Sequence, residues 1–313
     1  MKFSRAFKGL VGALVFFGFV PLASSQQLTI GTMGQGTTVY STGSAVAKVL
    51  SDHGLPTVVR PSSGTTSYMP LIQGGEIPLG IANGIEIGEA VRGAGSFKGR
   101  AMKDIGVVAR LFPLRVGILV RKDSNIKTIA DLKGHSLTYG YVSQVTIKNV
   151  VDSILAAGGI TPKDIRPVMV PNVLRGADEF VSGRADAFFF ALNSGKVSEV
   201  DASVGGVRFL PLPNTKEAEQ RMQAIVPESY LEVVKPTPNM TGVSAPIPVM
   251  VYDETLIASK TVPVETIHKI VGILKDNKQE LTDSFVSFRD FDPANVHGGT
   301  QLPYLESALG AAK

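Results

Sequence analysis

An alternation of short apolar strands, polar glycine-containing turns and helices constrains the fold of this chain most strongly. The first copy spans Leu28–Leu50, and its turn contains Gly31, Gly34 and Gly36. A second copy follows the predicted strand Thr57–Arg60. Such alternation is typical of a mostly parallel sheet with helices on its faces. Because the carboxyl ends of parallel strands meet at one edge, we expect a ligand to bind among these turns.

The first of these turns has the chemistry of an anion site. Its glycines let a ligand approach the backbone closely. Thr37 or Thr38 is the predicted N-cap of the following helix, whose first amides have no partner within the helix. Since a helix begins with partial positive charge, a carboxylate or a phosphate would be favoured there. The alternative is an ordinary strand-to-helix turn that binds nothing.

The second half of the chain repeats this layout. The predicted strand Ser136–Tyr139 leads into a polar turn at 140–146 and a helix that ends near Gly158. Two such turns, facing each other across a cleft, would offer amides and hydroxyls to one small polar ligand. The strand Ala187–Phe190 carries three successive phenylalanines, a pattern typical of a strand buried on both faces. Phe190, at its carboxyl end, is the one expected to touch a ligand.

The connections between the halves are also visible in the sequence. Two apolar runs, Ile105–Arg110 and Val116–Arg121, are split by residues 111–115, and this break is the expected passage into a second lobe. Prolines between 236 and 248 mark extended chain, the expected return. A strand at Val249–Tyr252 and a C-terminal surface helix at 302–313 complete the prediction.

The first 25 residues have the pattern of a secretory signal peptide. Basic residues begin it, Leu10–Val20 is apolar, and Ala23 and Ser25 precede a predicted cut before Gln26. The apolar run is short for a membrane span. The sequence contains no cysteine, which excludes a lipoprotein anchor, a disulfide and a thiol nucleophile. We therefore expect an exported, periplasmic protein that is not lipid-anchored.

Charge and motifs argue against several classes of function. Three of the 31 Lys and Arg residues lie in the predicted signal peptide, which leaves 28 against 27 Asp and Glu residues, so no nucleic-acid partner is expected. The four histidines are scattered, without metal-ligand spacing. Neither a P-loop nor a dinucleotide fingerprint is present. Gly242–Pro246 begins like a nucleophile elbow but ends in proline. We predict no enzyme, no cofactor and no metal.

Four stretches together resemble a known family of binding proteins. In order, they are Leu28–Thr32 through Tyr40 with Gly43; Pro61–Thr66 with Leu71–Gly75; Leu119–Ser124 running to Asp131–Gly134; and Leu155–Thr161 with Gly183–Phe190. Their order and spacing resemble those of the TAXI family, the solute-binding receptors of one branch of TRAP transporters. The likeness covers nearly all of the chain after the predicted signal peptide.

This resemblance implies a fold and a function. The fold is a class II periplasmic-binding-protein fold, α/β, with two lobes that each contain a mixed, mostly parallel sheet flanked by helices, and a ligand cleft between them. The boundaries follow as 1–25 for the signal peptide, 26–113 plus 240–313 for lobe I, and 114–239 for lobe II. The function is capture of a small organic acid (a dicarboxylate, 2-oxo acid or acidic amino acid) for integral-membrane TRAP subunits. We expect a monomer.

The resemblance also implies ligand-binding residues by position. Those of lobe I are Thr32, Met33, Thr37, Tyr40, Ser63, Gly64, Thr65, Thr66, Asn83 and Arg110. Those of lobe II are Tyr139, Tyr141, Ser143, Gln144, Val145 and Thr146. The relatives have a smaller turn in lobe II, so the tyrosines and Gln144 indicate a smaller pocket or one that stacks a flat ligand. Arg110 is expected to pair with a carboxylate, the alternative being a surface arginine at a strand end.

Two other functions are compatible with this fold. An exported hydrolase would need Ser63 or Ser143 to lie beside a histidine, and His135 is the histidine closest in sequence to Ser143. A sensory binding protein would present its ligand to a membrane receptor instead of a permease. The residues of the chain alone do not separate this second alternative from transport.

Overall fold

The computed structural model describes Met1 and residues 27–238, 240–298 and 302–310. The predicted signal peptide, apart from Met1, lies outside these residues. The described strands are β1 (Leu28–Met33), β2 (Thr57–Ser62), β3 (Leu79–Asn83), β4 (Ile105–Arg121), β5 (Ser136–Gly140), β6 (Arg166–Val170), β7 (Ala187–Ala191), β8 (Val207–Phe209), β9 (Tyr230–Val234) and β10 (Ile247–Ser259). The described helices are α1 (Thr38–Asp52), α2 (Thr65–Gln73), α3 (Gly84–Arg92), α4 (Val145–Ala157), α5 (Val173–Val181), α6 (Gly195–Val204), α7 (Lys216–Gln223), α8 (Val264–Asp276), α9 (Lys278–Ser284) and α10 (Glu306–Leu309).

The strands form a mixed sheet with two parallel groups. Its order is β2-β1-β3-β10-β4-β7-β5-β6, with β8 beside β4 and β9 beside β10. In the first lobe, β1 is parallel to β2 and β3. In the second lobe, β5 is parallel to β6 and β7. The long strands β10 and β4 are antiparallel to each other and join the two groups. The predicted two-lobed α/β architecture is therefore confirmed.

The two apolar runs on either side of 111–115 belong to one element. The structure has one continuous strand of 17 residues, β4. Pro113 lies opposite Asp253 in the antiparallel pair of β4 and β10. The pairing shifts register after Glu254 and again after Leu256, which is typical of β-bulges. The strand continues because its middle residues pair with β10 and are largely buried, a long-range pairing that local sequence does not reveal. The lobe boundaries at 113/114 and 239/240 stay predictions.

Two other elements differ from the sequence-based expectation. The segment 124–134, whose sequence predicts a short helix closed by Gly134, forms only a single 3-10 turn at Ala130–Leu132. The Asp131 carboxylate accepts hydrogen bonds from the backbone N–H groups of Lys127 and Thr128, which competes with a longer helix. The C-terminal surface helix is limited to α10 within the described residues, and Tyr304 before it bridges to Val107 of β4.

The core of the second lobe confirms the expectation for the three phenylalanines. Phe188, Phe189 and Phe190 on β7 are at most 3% exposed. Phe188 packs against Phe180 of α5 with ring centroids 4.6 Å apart.

Among the described helices, none is long and apolar enough to cross a membrane.

Candidate functional site

A small cavity of about 40 Å³ lies between the lobes. Residues that follow the carboxyl ends of β1 and β3 form its first-lobe wall: Met33, Thr37, Thr38, Val39, Asn83 and Glu86. The second-lobe wall consists of Ile147, Val173, Phe189, Phe190 and Ala191. The two joining strands contribute Leu114, Val116 and Tyr252. The cavity thus lies at the sheet edge where the sequence predicted a ligand, with walls from both lobes.

The amino end of α1 forms part of the first-lobe wall. Thr37, one of the two predicted candidates, is its N-cap. The Thr37 hydroxyl accepts a hydrogen bond from the Tyr40 backbone N–H at 3.1 Å and donates one to the Gly34 carbonyl at 2.8 Å. Thr38, the next residue, is 3% exposed, and its hydroxyl has no hydrogen-bond partner among the described residues. A buried polar group is normally paired, so this hydroxyl is available to a ligand in the cavity.

Glu86 supplies the acidic group of the same wall. Asn83 caps α3 by accepting the Glu86 backbone N–H at 3.0 Å, and its side-chain amide donates to Glu86 Oε2 at 2.8 Å. The Thr65 hydroxyl donates to Glu86 Oε1 at 2.5 Å. Burial raises the pKa of Glu86 to about 7, although the hydrogen bonds from Thr65 and Asn83 act in the opposite direction. Glu86 was not among the residues predicted from sequence, although its position three residues after the capping Asn83 was a usable signal.

A second buried acid, Glu254, lies in β10 two residues after the cavity-lining Tyr252. Glu254 is 0% exposed, and neither of its carboxyl oxygens has a hydrogen-bond partner within the described part of the chain. Burial, followed by the negative charge of Glu86, raises the pKa of Glu254 well above its ordinary value. Burial therefore favours the protonated form of both Glu86 and Glu254, which lie beside the cleft in the first lobe.

Glu254 makes the free energy of unfolding depend on pH. Because its folded-state pKa is raised, the folded protein retains a proton that the unfolded chain releases above pH 4.5, so stability falls as pH rises above that value. We expect Glu254→Gln to be more stable than wild type by about 1–3 kcal/mol at pH 8 and nearly equal at pH 4. Urea unfolding at both pH values measures this, with the exposed Glu265→Gln as control. An equal effect at both pH values would contradict the assignment.

The tips of the two lobes touch at the mouth of the cleft. The Thr66 hydroxyl donates to the Ser143 carbonyl at 3.1 Å, and a Cβ added to Gly64 would lie 2.3 Å from the same carbonyl oxygen. The Gln144 amide donates to Met33 Sδ at 2.8 Å. These five residues were all predicted as ligand-binding, and the structure brings them together as contacts between the lobes.

Two further pairs extend this contact. The Thr146 hydroxyl donates to Glu89 Oε2 at 2.9 Å, and the Ser194 hydroxyl donates to the Gly36 carbonyl at 2.6 Å. The structure described here is therefore a closed arrangement of the lobes.

Other predicted residues lie away from the cavity. The Tyr139 hydroxyl donates to Asp152 at 2.5 Å, and that of Tyr141 shares a hydrogen bond with Thr138 at 2.9 Å. Tyr141 also packs edge-on against Phe189. Neither tyrosine ring lines the cavity, so the geometry offers no support for a stacked flat ligand.

The remaining first-lobe predictions have other surroundings. Tyr40 lines a surface groove between α1 and α9. The Ser63 hydroxyl bonds to that of Ser67 at 3.1 Å. Thr32 is fully buried, with no hydroxyl partner among the described residues, and its methyl group packs against Gly43. In the second lobe, Val145 is 40% exposed at the start of α4.

Arg110 has an acidic partner within the chain. Its Nε lies 2.9 Å from Asp253 Oδ1, in an ion pair that lacks the alignment of a hydrogen bond. Asp253 is 2% exposed. Since successive side chains of a strand point to opposite faces, Asp253 faces away from Tyr252 and Glu254. Arg110 therefore lies behind the joining strands, and not at the cavity where a ligand carboxylate would bind.

The arrangement needed by a hydrolase does not form among the candidates named from sequence. His135 Nδ1 lies 3.5 Å from Asp186, at the amino end of β5, whereas Ser143 follows the carboxyl end of that strand. Ser63 bonds to Ser67, as stated above. Within the described residues, no group of three or more His, Cys, Asp or Glu side chains has the geometry of a metal site.

Solved structures share this fold at low sequence identity. One described as a periplasmic transporter has a TM-score of 0.56 at 16% identity, over 84% of this chain and 87% of that one. A binding-protein component of a phosphonate ABC transporter from Pseudomonas aeruginosa has a TM-score of 0.54 at 10% identity, over 85% and 79%. An ancestral arginine-binding protein bound to arginine has a TM-score of 0.50 at 16% identity, over 83% and 97%. These similarities establish the periplasmic-binding-protein fold.

Sequence comparison adds a family to the fold. A family model described as the NMT1-like family matches residues 30–311, nearly all of the chain that follows the predicted signal peptide. The match includes every residue of the interlobe cavity and both strands that join the lobes. This chain is therefore a member of the NMT1-like family.

Proposed function

We propose that this protein is an extracytoplasmic solute-binding protein that captures a small organic acid and delivers it to the membrane subunits of a TRAP-type transporter. The observation that carries the proposal is the interlobe cavity, which combines the amino end of α1 and the unpartnered Thr38 hydroxyl with a wall from the second lobe. The free amides at the start of a helix favour a carboxylate. The signal-like N-terminus supports a location outside the cytoplasm.

Lobe closure explains how such a site would work. The cavity of about 40 Å³ is smaller than an organic acid, so a solute enters only after the lobes separate, and the bound state closes less tightly than the arrangement described here. Contacts such as Thr66–Ser143 exist only when the lobes approach each other. A solute that bridges both walls therefore favours a closed state.

The choice of a TRAP-type partner rests on the resemblance of the four sequence stretches to TAXI receptors. The solved structures named above include a component of an ABC transporter, so the fold by itself does not favour a TRAP-type partner. Uptake of the solute into proteoliposomes distinguishes them. A TRAP-type partner requires an ion gradient and the added binding protein, whereas ATP-dependent uptake would contradict this part of the proposal.

A thermal-shift screen of the purified protein tests the receptor function. The panel contains succinate, glutarate, 2-oxoglutarate, 4-methyl-2-oxopentanoate and the common amino acids. A ligand at 100 times its Kd stabilises the folded protein by about 2.7 kcal/mol, which raises the unfolding temperature measurably. A response to at least one member, with a decrease in the radius of gyration by small-angle X-ray scattering if the free protein is open, supports the proposal. No response across the panel would overturn it.

A further inference from the structure

From the arrangement of polar and apolar groups around the cavity, we infer that the captured solute is an α-amino acid with an apolar side chain, whose ammonium group binds Glu86. This inference rests on the proposed function and names the solute class within it. It departs from the dicarboxylates and acidic amino acids that the family resemblance implies.

The first-lobe wall supplies the groups that recognise a zwitterion. Among the described residues that line the cavity, Glu86 is the only carboxylic acid and no side chain is basic. The other titratable side chain is the phenol of Tyr252. The two carboxylate oxygens of Glu86 are oriented by Thr65 and Asn83, and each oxygen retains capacity to accept a further hydrogen bond. An ammonium group satisfies this capacity, whereas a second carboxylate would be repelled.

The carboxylate of an amino acid has a separate place in the same wall. The amino end of α1 begins at Thr38, whose buried hydroxyl lacks a partner in the described chain. The partial positive charge there favours an anion, and the hydroxyl donates to it. The wall thus offers an acceptor for the ammonium and a donor for the carboxylate, which are the two ends of an amino-acid head group.

The opposite wall is apolar apart from the phenol of Tyr252 on β10. Its apolar members include Leu114, Val116, Ile147, Val173, Phe189 and Phe190, each at most 6% exposed. None of these side chains donates a hydrogen bond, and no basic side chain lines the cavity in the part of the chain that the structure describes. A side-chain carboxylate would lose its water here and would find only the Tyr252 phenol as a donor among the described residues of this side, which is unfavourable. An aliphatic or aromatic side chain instead buries apolar surface against this wall.

The protonation of Glu86 predicts how binding depends on pH. Burial, together with the negative charge of Glu89, raises the pKa of Glu86 to about 7. Glu254 and the phenols of Tyr68 and Tyr252 also lie within electrostatic reach of Glu86. A bound ammonium favours the ionised carboxylate. Binding therefore releases a proton, and affinity for an amino acid rises as pH increases from 5 to 7. A 2-oxo acid or a dicarboxylate, which has no ammonium, would show the opposite slope, because it prefers a protonated Glu86.

Calorimetric titration with matched compounds tests the inference. Leucine, phenylalanine, glutamate, glutarate and 4-methyl-2-oxopentanoate vary the side chain and the ammonium separately. We expect leucine or phenylalanine to bind roughly 10- to 100-fold more tightly than glutamate and than the oxo acid that lacks the ammonium. Affinity for leucine or phenylalanine should rise between pH 5 and pH 7, a measurement that needs no variant.

Substitution of the acid gives an independent test. Glu86→Gln keeps the shape of the side chain. It should weaken the binding of leucine or phenylalanine by roughly 10- to 100-fold and should abolish the pH dependence of that binding. The exposed Glu265→Gln, in the first turn of α8, should do neither. Tighter binding of glutarate or glutamate, or an unchanged pH slope in Glu86→Gln, would overturn the inference but leave the proposed function standing. Failure of every compound in both screens would overturn both.

Discussion

Arg110→Met is expected to lower the free energy of unfolding by about 3–5 kcal/mol, because it leaves the Asp253 carboxylate buried without its cation. Asp253 is 2% exposed, so water cannot replace the lost guanidinium. The nearby ring of Tyr230 offers no positive charge. Urea unfolding of wild type and variant at pH 7 measures the difference.

Two controls identify the ion pair as the cause. Arg100→Met removes an exposed arginine of the first lobe and should change stability little. The double variant Arg110→Met/Asp253→Asn removes both charges and should recover part of the loss. The ligand affinity of the folded Arg110→Met protein should equal that of wild type. Weakened binding with unchanged stability would instead favour the role in carboxylate recognition that the sequence predicted for Arg110.

Gly64→Ala is expected to prevent full closure of the lobes. The new methyl group would lie 2.3 Å from the Ser143 carbonyl oxygen, which is backbone and cannot rotate away. The φ of Gly64 is 175°, an extended value that alanine also adopts, so the clash arises between the lobes and not within the chain. Overpacking of this kind costs about 1–3 kcal/mol, which corresponds to about a 5- to 150-fold loss of affinity for the solute that the ligand screen identifies.

The control for Gly64→Ala is another glycine-to-alanine substitution, at a position where the added methyl group has room. A methyl group on Gly272 of α8 meets no atom within 4 Å, so Gly272→Ala should leave affinity unchanged. Thermal unfolding without ligand should be nearly unaffected by Gly64→Ala, because the separated lobes relieve the clash. A Gly64→Ala protein that binds and closes like wild type in small-angle scattering would show that this contact does not govern closure.

Local sequence predicted most of the elements that position the site. The strands and helices of each lobe alternate as expected, and Thr37 was one of two predicted caps because a hydroxyl before a helix satisfies its free amides. Met33, Thr37, Asn83 and Phe190 line the cavity because they lie at or just after the carboxyl ends of strands. Chain order alone shows where such positions are.

The rest of the cavity depends on residues distant in sequence. Leu114, Val116 and Tyr252 lie within β4 and β10, whose continuity and pairing no local pattern revealed. Glu86 follows its cap by three residues, but its burial and its raised pKa result from the packing of α2 and α3 around it. The apolar character of the second-lobe wall likewise becomes visible only when α4, α5 and β7 meet.

Sequence by itself thus determined the alternating elements, the two-lobed class of fold and the edge of the sheet at which a ligand would bind. The elements and the sheet edge follow from periodicity and capping within a few residues, whereas the two-lobed fold was implied by the resemblance to a family. Tertiary structure alone decided that Arg110 pairs with Asp253, that Gly64 meets Ser143, and that an acid faces an apolar wall across the cleft. Charge partners and desolvation depend on which distant segments pack together, and these contacts exist only in the folded chain.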